Sequence, residues 1–151
     1  LHGEALPSPQ IALGPSFGSP ITVESTVETL VHQGCFAETC AAYEAVQLAS
    51  LAREPQLAAL LSEIARDEVR HAALAWDVLE WMLATYPETR RLVPRLIDRA
   101  PPLPRHANEP SRAQHGYASP TDHARFFAAA RTQIVQPALA ELGFSRHRMC
   151  L

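Results

Sequence analysis

Two long segments of the chain carry apolar residues at every third or fourth position. One extends from Val23 to Leu51 and the other from Glu54 to Tyr86. This spacing is typical of amphipathic helices, which turn one side toward the core and the other toward solvent. The predicted inward positions of the first helix are Val23, Val27, Leu30, Val31, Gly34, Glu38, Ala41, Ala45, Leu48 and Ala52. Those of the second helix are Leu57, Leu61, Ile64, Glu68, His71, Ala75, Val78 and Met82.

A short link joins these two segments. It consists of Arg53, Glu54 and Pro55, and proline is well suited to the first turn of a helix. A link of this length makes neighbouring helices run antiparallel. The sequence therefore predicts an all-α fold, in which a long antiparallel helical hairpin at residues 22–86 is followed by shorter C-terminal helices. No run of alternating apolar and polar residues predicts a strand.

Proline-rich stretches on either side of the hairpin suggest the domain boundaries. Residues 1–20 are predicted to be a linker or a disordered N-terminal segment. Residues 21–143 are predicted to form one helical domain, and residues 144–151 a flexible tail. The sequence thus predicts one helical unit between two segments without regular structure.

The part of this domain that follows the hairpin predicts two more helices and a loop. Residues 87–100 predict a short helix that is bent or restarted at Pro94, and its inward residues are Leu92, Val93, Leu96 and Ile97. Residues 101–118 predict a loop. A last helix follows Ser119 and reaches Leu142, with a kink at Pro137. Its predicted inward residues are Phe127, Ala130, Ile134 and Ala138.

Three polar residues interrupt the apolar sides of the hairpin: Glu38 in the first helix, and Glu68 and His71 in the second. A carboxylate buried there without a partner would cost several kcal/mol or would take up a proton. Glu68 and His71 are three residues apart, so their Cβ atoms lie about 5–6 Å apart on one helix face. At about 1.5 Å per residue, all three residues lie about 24 Å from the bend. The sequence therefore predicts that they meet at one level and bind a divalent metal.

A purely structural interpretation of the same residues remains open. Asp67 and Arg70 flank the site, so these charges pair among themselves, or Glu68 forms a bridge to a buried arginine. The result would be a hydrogen-bonded network without a metal. Glu44, Glu63 and Glu80 are predicted to be solvated, and His123 is predicted to be a surface or capping-region residue.

The residues around the three candidate ligands resemble a known family. Residues 34–39 read Gly-Cys-Phe-Ala-Glu-Thr, and residues 67–72 read Asp-Glu-Val-Arg-His-Ala. Their order is similar to that of the second helix pair of ferritin-like, rubrerythrin-type di-iron carboxylate proteins. The resemblance, over about residues 22–86, implies half of a ferritin-like four-helix bundle in which Glu38, Glu68 and His71 bind iron, or alternatively manganese. It also implies an iron-handling role, or di-iron oxidoreductase activity if a complete site is assembled.

The other half of such a site is missing from the sequence. No second Glu-x-x-His occurs in the 151 residues, since His106 and Glu109 stand in reverse order. Three explanations remain open: an N-terminal helix pair has been lost from a longer protein, two copies self-associate about a two-fold axis, or the site is degenerate. In the last case the chain is a non-enzymatic helical interaction module that binds no metal.

Composition and charge narrow the range of partners. A formal net charge of −3 disfavours nucleic acid, which requires a basic face. No apolar run approaches the roughly 18 residues that a transmembrane helix needs. Cys35 and Cys40 are predicted to be small buried residues, and Cys150 lies in the predicted tail. The absence of a disulfide pattern is compatible with a reducing compartment such as the cytoplasm.

Overall fold

The hairpin consists of two long antiparallel helices. The computed structural model of the chain describes residues 20–98 and 110–144. The first long helix comprises three consecutive parts: α1 (Val23–Thr29), a π-helical segment (Leu30–Glu38) and α2 (Thr39–Leu51). The second long helix, α3 (Pro55–Thr85), is α-helical over all 31 residues. The predicted long helical hairpin is thereby confirmed.

Local sequence determines where the hairpin begins and where it turns. The Ser25 N–H donates to Thr22 Oγ1 at 3.1 Å, and the Thr22 N–H donates to Ser25 Oγ at 3.0 Å. These two bonds form a capping box before α1. At the bend, Ala52 has an extended backbone that ends α2. Pro55 begins α3, at a position where its missing N–H removes no helical hydrogen bond.

Shorter helical elements follow the hairpin. They are a 3₁₀ turn (Pro87–Arg91), α4 (Val93–Asp98), a second 3₁₀ turn (Ala113–His115), α5 (Pro120–Ala130), a π-helical segment (Arg131–Val135) and α6 (Gln136–Glu141). In α4, Val93 and Leu96 are buried, as predicted. The described part of the chain contains no strand, only an isolated bridge between Arg112 and Tyr117. The fold is therefore all-α, as the sequence predicted.

Two apolar clusters hold these elements together. The smaller cluster lies near the bend and consists of Leu48, Leu61, Ala113 and Phe126. The larger cluster lies toward the other end of the hairpin and consists of Val27, Val31, Cys35, Phe36, Ala75, Leu79, Met82, Leu83, Val93, Leu96, Val135 and Leu139. Along the two long helices, Glu38 and Glu68 fall between these clusters. The candidate site thus occupies a break in the apolar core.

The buried side of the last helix differs from the predicted one. The buried apolar residues are Ala124, Phe126, Ala130, Val135 and Leu139. Ile134 is exposed, so its predicted burial was wrong. The reason is the π-helical segment, which makes the step from Ala130 to Val135 five residues long and shifts the phase of the helix. Pro137 lies just after this segment and cannot donate a hydrogen bond to the carbonyl of Gln133.

Parts of the predicted domain plan lie outside the described residues. These parts are residues 1–19 of the linker, residues 99–100 at the end of the predicted short helix, residues 101–109 of the loop, and residues 145–151 of the tail, which include Cys150. Phe144, the first residue of the predicted tail, packs against the larger apolar cluster. The guanidinium carbon of Arg90 lies 4.9 Å from the centre of the Phe144 ring. The end of the last helix is therefore attached to the hairpin as far as Phe144.

Candidate functional site

The two long helices approach each other closely beside the candidate site. Gly34 faces Ala75, and a Cβ atom at position 34 would lie only 3.0 Å from the Cβ of Ala75. The thiol of Cys35 donates to the carbonyl oxygen of Ala75 at 3.5 Å. Because the helices are antiparallel, one turn from this contact toward the bend brings Glu38 level with His71. The glycine therefore allows the two sides of the site to lie near each other.

All three predicted ligands meet at this level. One carboxylate oxygen of Glu38, one of Glu68 and one ring nitrogen of His71 lie within 4.8 Å of one another. Within the pair on α3, Nδ1 of His71 is 3.9 Å from Oε2 of Glu68. The structure thus brings together the residues that counting along the two helices placed at one level. Oxygen and imidazole donors of this kind suit iron or manganese chemically.

The exposure of these side chains differs from the prediction. Glu38 is half-buried, and the side chain of Glu68 is 30% exposed. His71 is 62% exposed, so its predicted burial was wrong. Three helical residues turn the chain by about 300°, so His71 points about 60° away from Glu68. Ile64 lies on the same side of α3 as His71 and is also exposed, contrary to the prediction. The buried residues of α3 are Leu61, Ala65, Ala72, Ala75, Leu79, Met82 and Leu83.

The arginines that flank the site on α3 pair with other carboxylates. Arg70 pairs with Asp67, and Arg66 pairs with Glu63 at 2.6 Å, all four side chains being exposed. Among residues 20–98 and 110–144, no arginine lies within ion-pair distance of either carboxylate of the site. Two negative charges this close repel each other by about 1 kcal/mol in water-like surroundings and by more in less polar ones. A bound cation would remove this repulsion.

The π-helical segment of the first long helix ends at Glu38. Segments of this kind are rare and frequently occur at functional sites. Just after it, the buried Thr39 accepts a hydrogen bond on Oγ1 from Nε1 of Trp76 at 3.0 Å. Near its start, Nε2 of His32 lies 3.0 Å from the carbonyl oxygen of Leu96. Contacts at both ends therefore hold the segment in place. The sequence did not predict it, because apolar spacing does not distinguish a π-helical turn from an α-helical one.

Other residues with reactive or ionisable side chains are buried or paired away from the candidate site. Cys35 and Cys40 are buried, as predicted, and burial raises the pKa of their thiols to about 12 and about 11 respectively. The carboxylate of Glu44 was predicted to be solvated, but it lies 2.5 Å from Nδ1 of His123 and is only 24% exposed. That prediction was wrong because α5 packs against α2 and brings together two residues 79 positions apart. His123 itself is exposed near the start of α5, as predicted.

Comparisons with protein-family models, with curated proteins and with solved structures found no match to this chain. Within the described ranges, no helix is both long enough and apolar enough to cross a membrane.

Proposed function

We propose that this chain binds iron or manganese through Glu38, Glu68 and His71, as half of a ferritin-like carboxylate site. The approach of two carboxylate oxygens and one ring nitrogen to within 4.8 Å of one another carries this proposal. The resemblance of residues 34–39 and 67–72 to a rubrerythrin-type helix pair supports iron in particular. These three ligands include no thiolate. A set of oxygen and nitrogen donors suits iron or manganese better than a metal that prefers sulfur.

The three residues contribute in different ways to holding the ion. Glu38 and Glu68 approach from opposite helices, so they bind the ion only while the hairpin is folded. Both carboxylates must be ionised and His71 must be neutral, and metal retention should therefore fall at acidic pH. Three ligands leave coordination positions open for water or for an oxygen-containing substrate. A bound iron ion would supply redox chemistry at those positions.

A complete di-iron site of this type requires a second Glu and a second Glu-x-x-His. The sequence contains only one such set. Under this proposal, a second copy of the chain or another helix pair would supply the remainder. The completed protein would be a di-iron oxidoreductase or an iron-handling protein, whereas the single hairpin binds an ion more weakly.

Metal titration of the purified chain tests this proposal. We expect wild-type protein to bind Mn²⁺ in a titration followed by electron paramagnetic resonance, and to retain Fe²⁺ through gel filtration. Glu68→Gln should weaken binding by more than about tenfold, because removing even a supporting contact of a ligand costs about 10–100-fold.

Glu63→Gln is the matched control for this experiment. It makes the same chemical change on the same helix, at an exposed residue paired with Arg66. This variant should bind metal like the wild type. Equal and negligible uptake by the wild type and by both variants would contradict the proposal.

A second candidate function is that of a non-enzymatic helical interaction module with a degenerate metal site. Exposed apolar residues on α3, such as Leu60 and Leu74, favour it, because an apolar helix face requires a partner. Under this alternative, Glu68→Gln changes neither metal retention nor partner binding, so the same titration distinguishes the two functions.

A further inference from the structure

A second row of residues along α3 faces away from the buried side of that helix. Its positions follow one another at steps of four and three residues: Leu60, Ile64, Asp67, His71, Leu74 and Val78. These six residues are termed the seam. Its leucine and isoleucine residues, together with Trp81 one step further along, are between 42% and 61% exposed, whereas Val78 is partly buried against the larger apolar cluster.

The spacing of the seam is that of a coiled-coil contact. Alternating steps of three and four residues present a row of side chains to one partner helix. The covered face of α3 uses a different row, namely Leu61, Ala65, Glu68, Ala72, Ala75 and Leu79. An apolar row that is exposed over most of this length indicates that a second helix covers it.

Two polar residues occupy the middle of the seam. Asp67 and His71 are adjacent positions of the row, with apolar residues on both sides of them. Covering Asp67 without a partner for its carboxylate would be costly, so the covering helix must offer a complementary group at that level. The chain itself carries such a group in His71.

We propose that the seam is the interface between two copies of this chain, packed antiparallel about a two-fold axis level with Val69. In this register, Asp67 of each copy faces the partner's His71. The apolar positions also match, because Ile64 faces the partner's Leu74 and Leu60 faces the partner's Val78. Each pair of facing residues, termed a layer, therefore joins two apolar side chains or one carboxylate and one imidazole. The layer of Asp67 and His71 is termed the polar layer.

Other arrangements bring together groups that do not complement each other. Parallel packing places Asp67 against the partner's Asp67, so that two like charges meet. An antiparallel shift by one heptad places Asp67 against Ile64 or Val78, which buries a carboxylate against an aliphatic side chain. The polar layer thus selects one register, as polar residues at seam positions do in coiled coils. The exposed pair between Asp67 and Arg70 must open, but such pairs contribute at most about 1 kcal/mol.

The interface also affects the candidate metal site, a consequence that rests on the proposed function. Nδ1 of His71 faces Glu68, and the other ring nitrogen has no hydrogen-bond partner among the described residues. The partner's Asp67 would accept a hydrogen bond from this nitrogen and so hold the ring in the orientation that metal binding requires. Asp67 is then a positioning residue rather than a ligand. The two-fold axis also brings the two metal sites to nearly the same level.

Cysteine cross-linking in the presence of a chelator tests the register. Residue 64 of one copy lies opposite residue 74 of the other, but about 15 Å along the axis from the second residue 64. We expect Ile64→Cys/Leu74→Cys, in a Cys150→Ser background, to oxidise to a covalent dimer. Each single variant should remain uncross-linked. So should the control Val69→Cys, at an exposed position on the opposite side of α3.

Sedimentation equilibrium in the presence of a chelator tests the polar layer. Asp67→His and His71→Asp each place like groups opposite each other, and each should weaken dimerisation by about tenfold or more, which corresponds to about 1.4 kcal/mol. The double variant exchanges the two groups and should dimerise like the wild type. It should nevertheless lose metal, because His71 has been replaced. Restored dimers without metal binding thus separate the interface from the proposed function.

Several outcomes would overturn the proposed interface. Cross-linking of Ile64→Cys alone would indicate parallel packing, and absence of cross-links in the double cysteine variant would exclude the register. A monomeric wild type would mean that another segment or another protein covers the seam. A dimer that forms only with added metal would show that the ion, not the seam, joins the copies. Ile64→Asp should dissociate the dimer, and equal dimerisation of Ile64→Asp and Val69→Asp would exclude the seam as the interface.

Discussion

Asp122 and Glu68 are both acidic residues at the edge of a helical core, but their surroundings differ. Asp122 is 2% exposed. Its carboxylate accepts hydrogen bonds from the hydroxyl of Ser119 at 2.9 Å and from its N–H at 3.2 Å. The guanidinium of Arg125 lies 3.3 Å away. Glu68 is 30% exposed, and its one ion-pair contact within the described ranges is His71 at 3.9 Å.

These two environments have different consequences for the protein. Burial by itself raises the pKa of Asp122, but hydrogen bonds from Ser111 and Ser119 outweigh it and hold the pKa below its ordinary value. The hydrogen-bonding capacity of Asp122 is therefore used to stabilise the start of α5. The carboxylates of Glu38 and Glu68 instead face each other and keep acceptor positions that a cation can use. A carboxylate satisfied by the protein supports the fold, whereas an unsatisfied pair suits a ligand.

The largest expected effect on stability comes from Asp122→Ala. This variant should lose about 2 kcal/mol of unfolding free energy, because it removes half of the capping box and leaves buried donors of Ser119 without an acceptor. Urea denaturation measures the change. The control Asp77→Ala, at an exposed position on α3, should stay within about 0.5 kcal/mol of the wild type. If the unfolding free energy of Asp122→Ala equalled that of the wild type, the structural role of this carboxylate would be contradicted.

A smaller effect is expected from acidification. Because the pKa of Asp122 is lowered from 3.8 by folding, its contribution to stability is fully present above about pH 5. It is lost as the pH falls through 3.8 and then through the lower pKa of the folded state. Urea denaturation from about pH 5 to pH 2.5 should therefore show a smaller loss of stability for Asp122→Asn than for the wild type. Equal slopes for both proteins would mean that folding does not lower this pKa.

The smallest expected effect on stability has the opposite sign. Without metal, Glu68→Gln should gain up to about 1 kcal/mol of unfolding free energy, because it removes the repulsion between Glu68 and Glu38. The control Glu63→Gln loses its exposed pair with Arg66 and should show no gain. Urea denaturation in a chelator measures both. A loss of stability in Glu68→Gln would place Glu68 in the same structural class as Asp122.

The sequence was sufficient to predict the all-α hairpin. Apolar residues repeat with a helical period over two long segments, and only three residues, 53–55, link them. The level of Glu38, Glu68 and His71 also followed from counting, because the rise per residue of an α-helix is nearly constant. Both results depend on regular local geometry, which the sequence pattern contains directly.

Exposure was harder to predict than position along the helix. Ile64 and His71 lie at the margin of the apolar row, where a rotation of the helix by a small angle decides between core and solvent. The elements that pack against α3 determine that rotation. The apolar pattern of α3 itself does not show which elements these are. The error for Ile134 has a different cause, because the π-helical segment Arg131–Val135 changes the phase of the last helix.

Asp122 and Glu44 show what else the sequence analysis missed. Ser119 and Asp122 have the spacing of a capping box, so this local signal was present in the sequence before the last helix. The contact between Glu44 and His123 spans 79 positions and exists only because α5 packs against α2. No local pattern encodes such a contact.

Cys35 precedes Glu38 by about one helical turn, and its thiol lies beside Ala75, which is about one turn of α3 away from His71. Burial raises the pKa of its thiol to about 12, so that the group is almost entirely the neutral thiol at pH 7. Peroxides oxidise the thiolate rather than the neutral thiol. Burial against Ala75 therefore protects this cysteine from sulfenic acid formation.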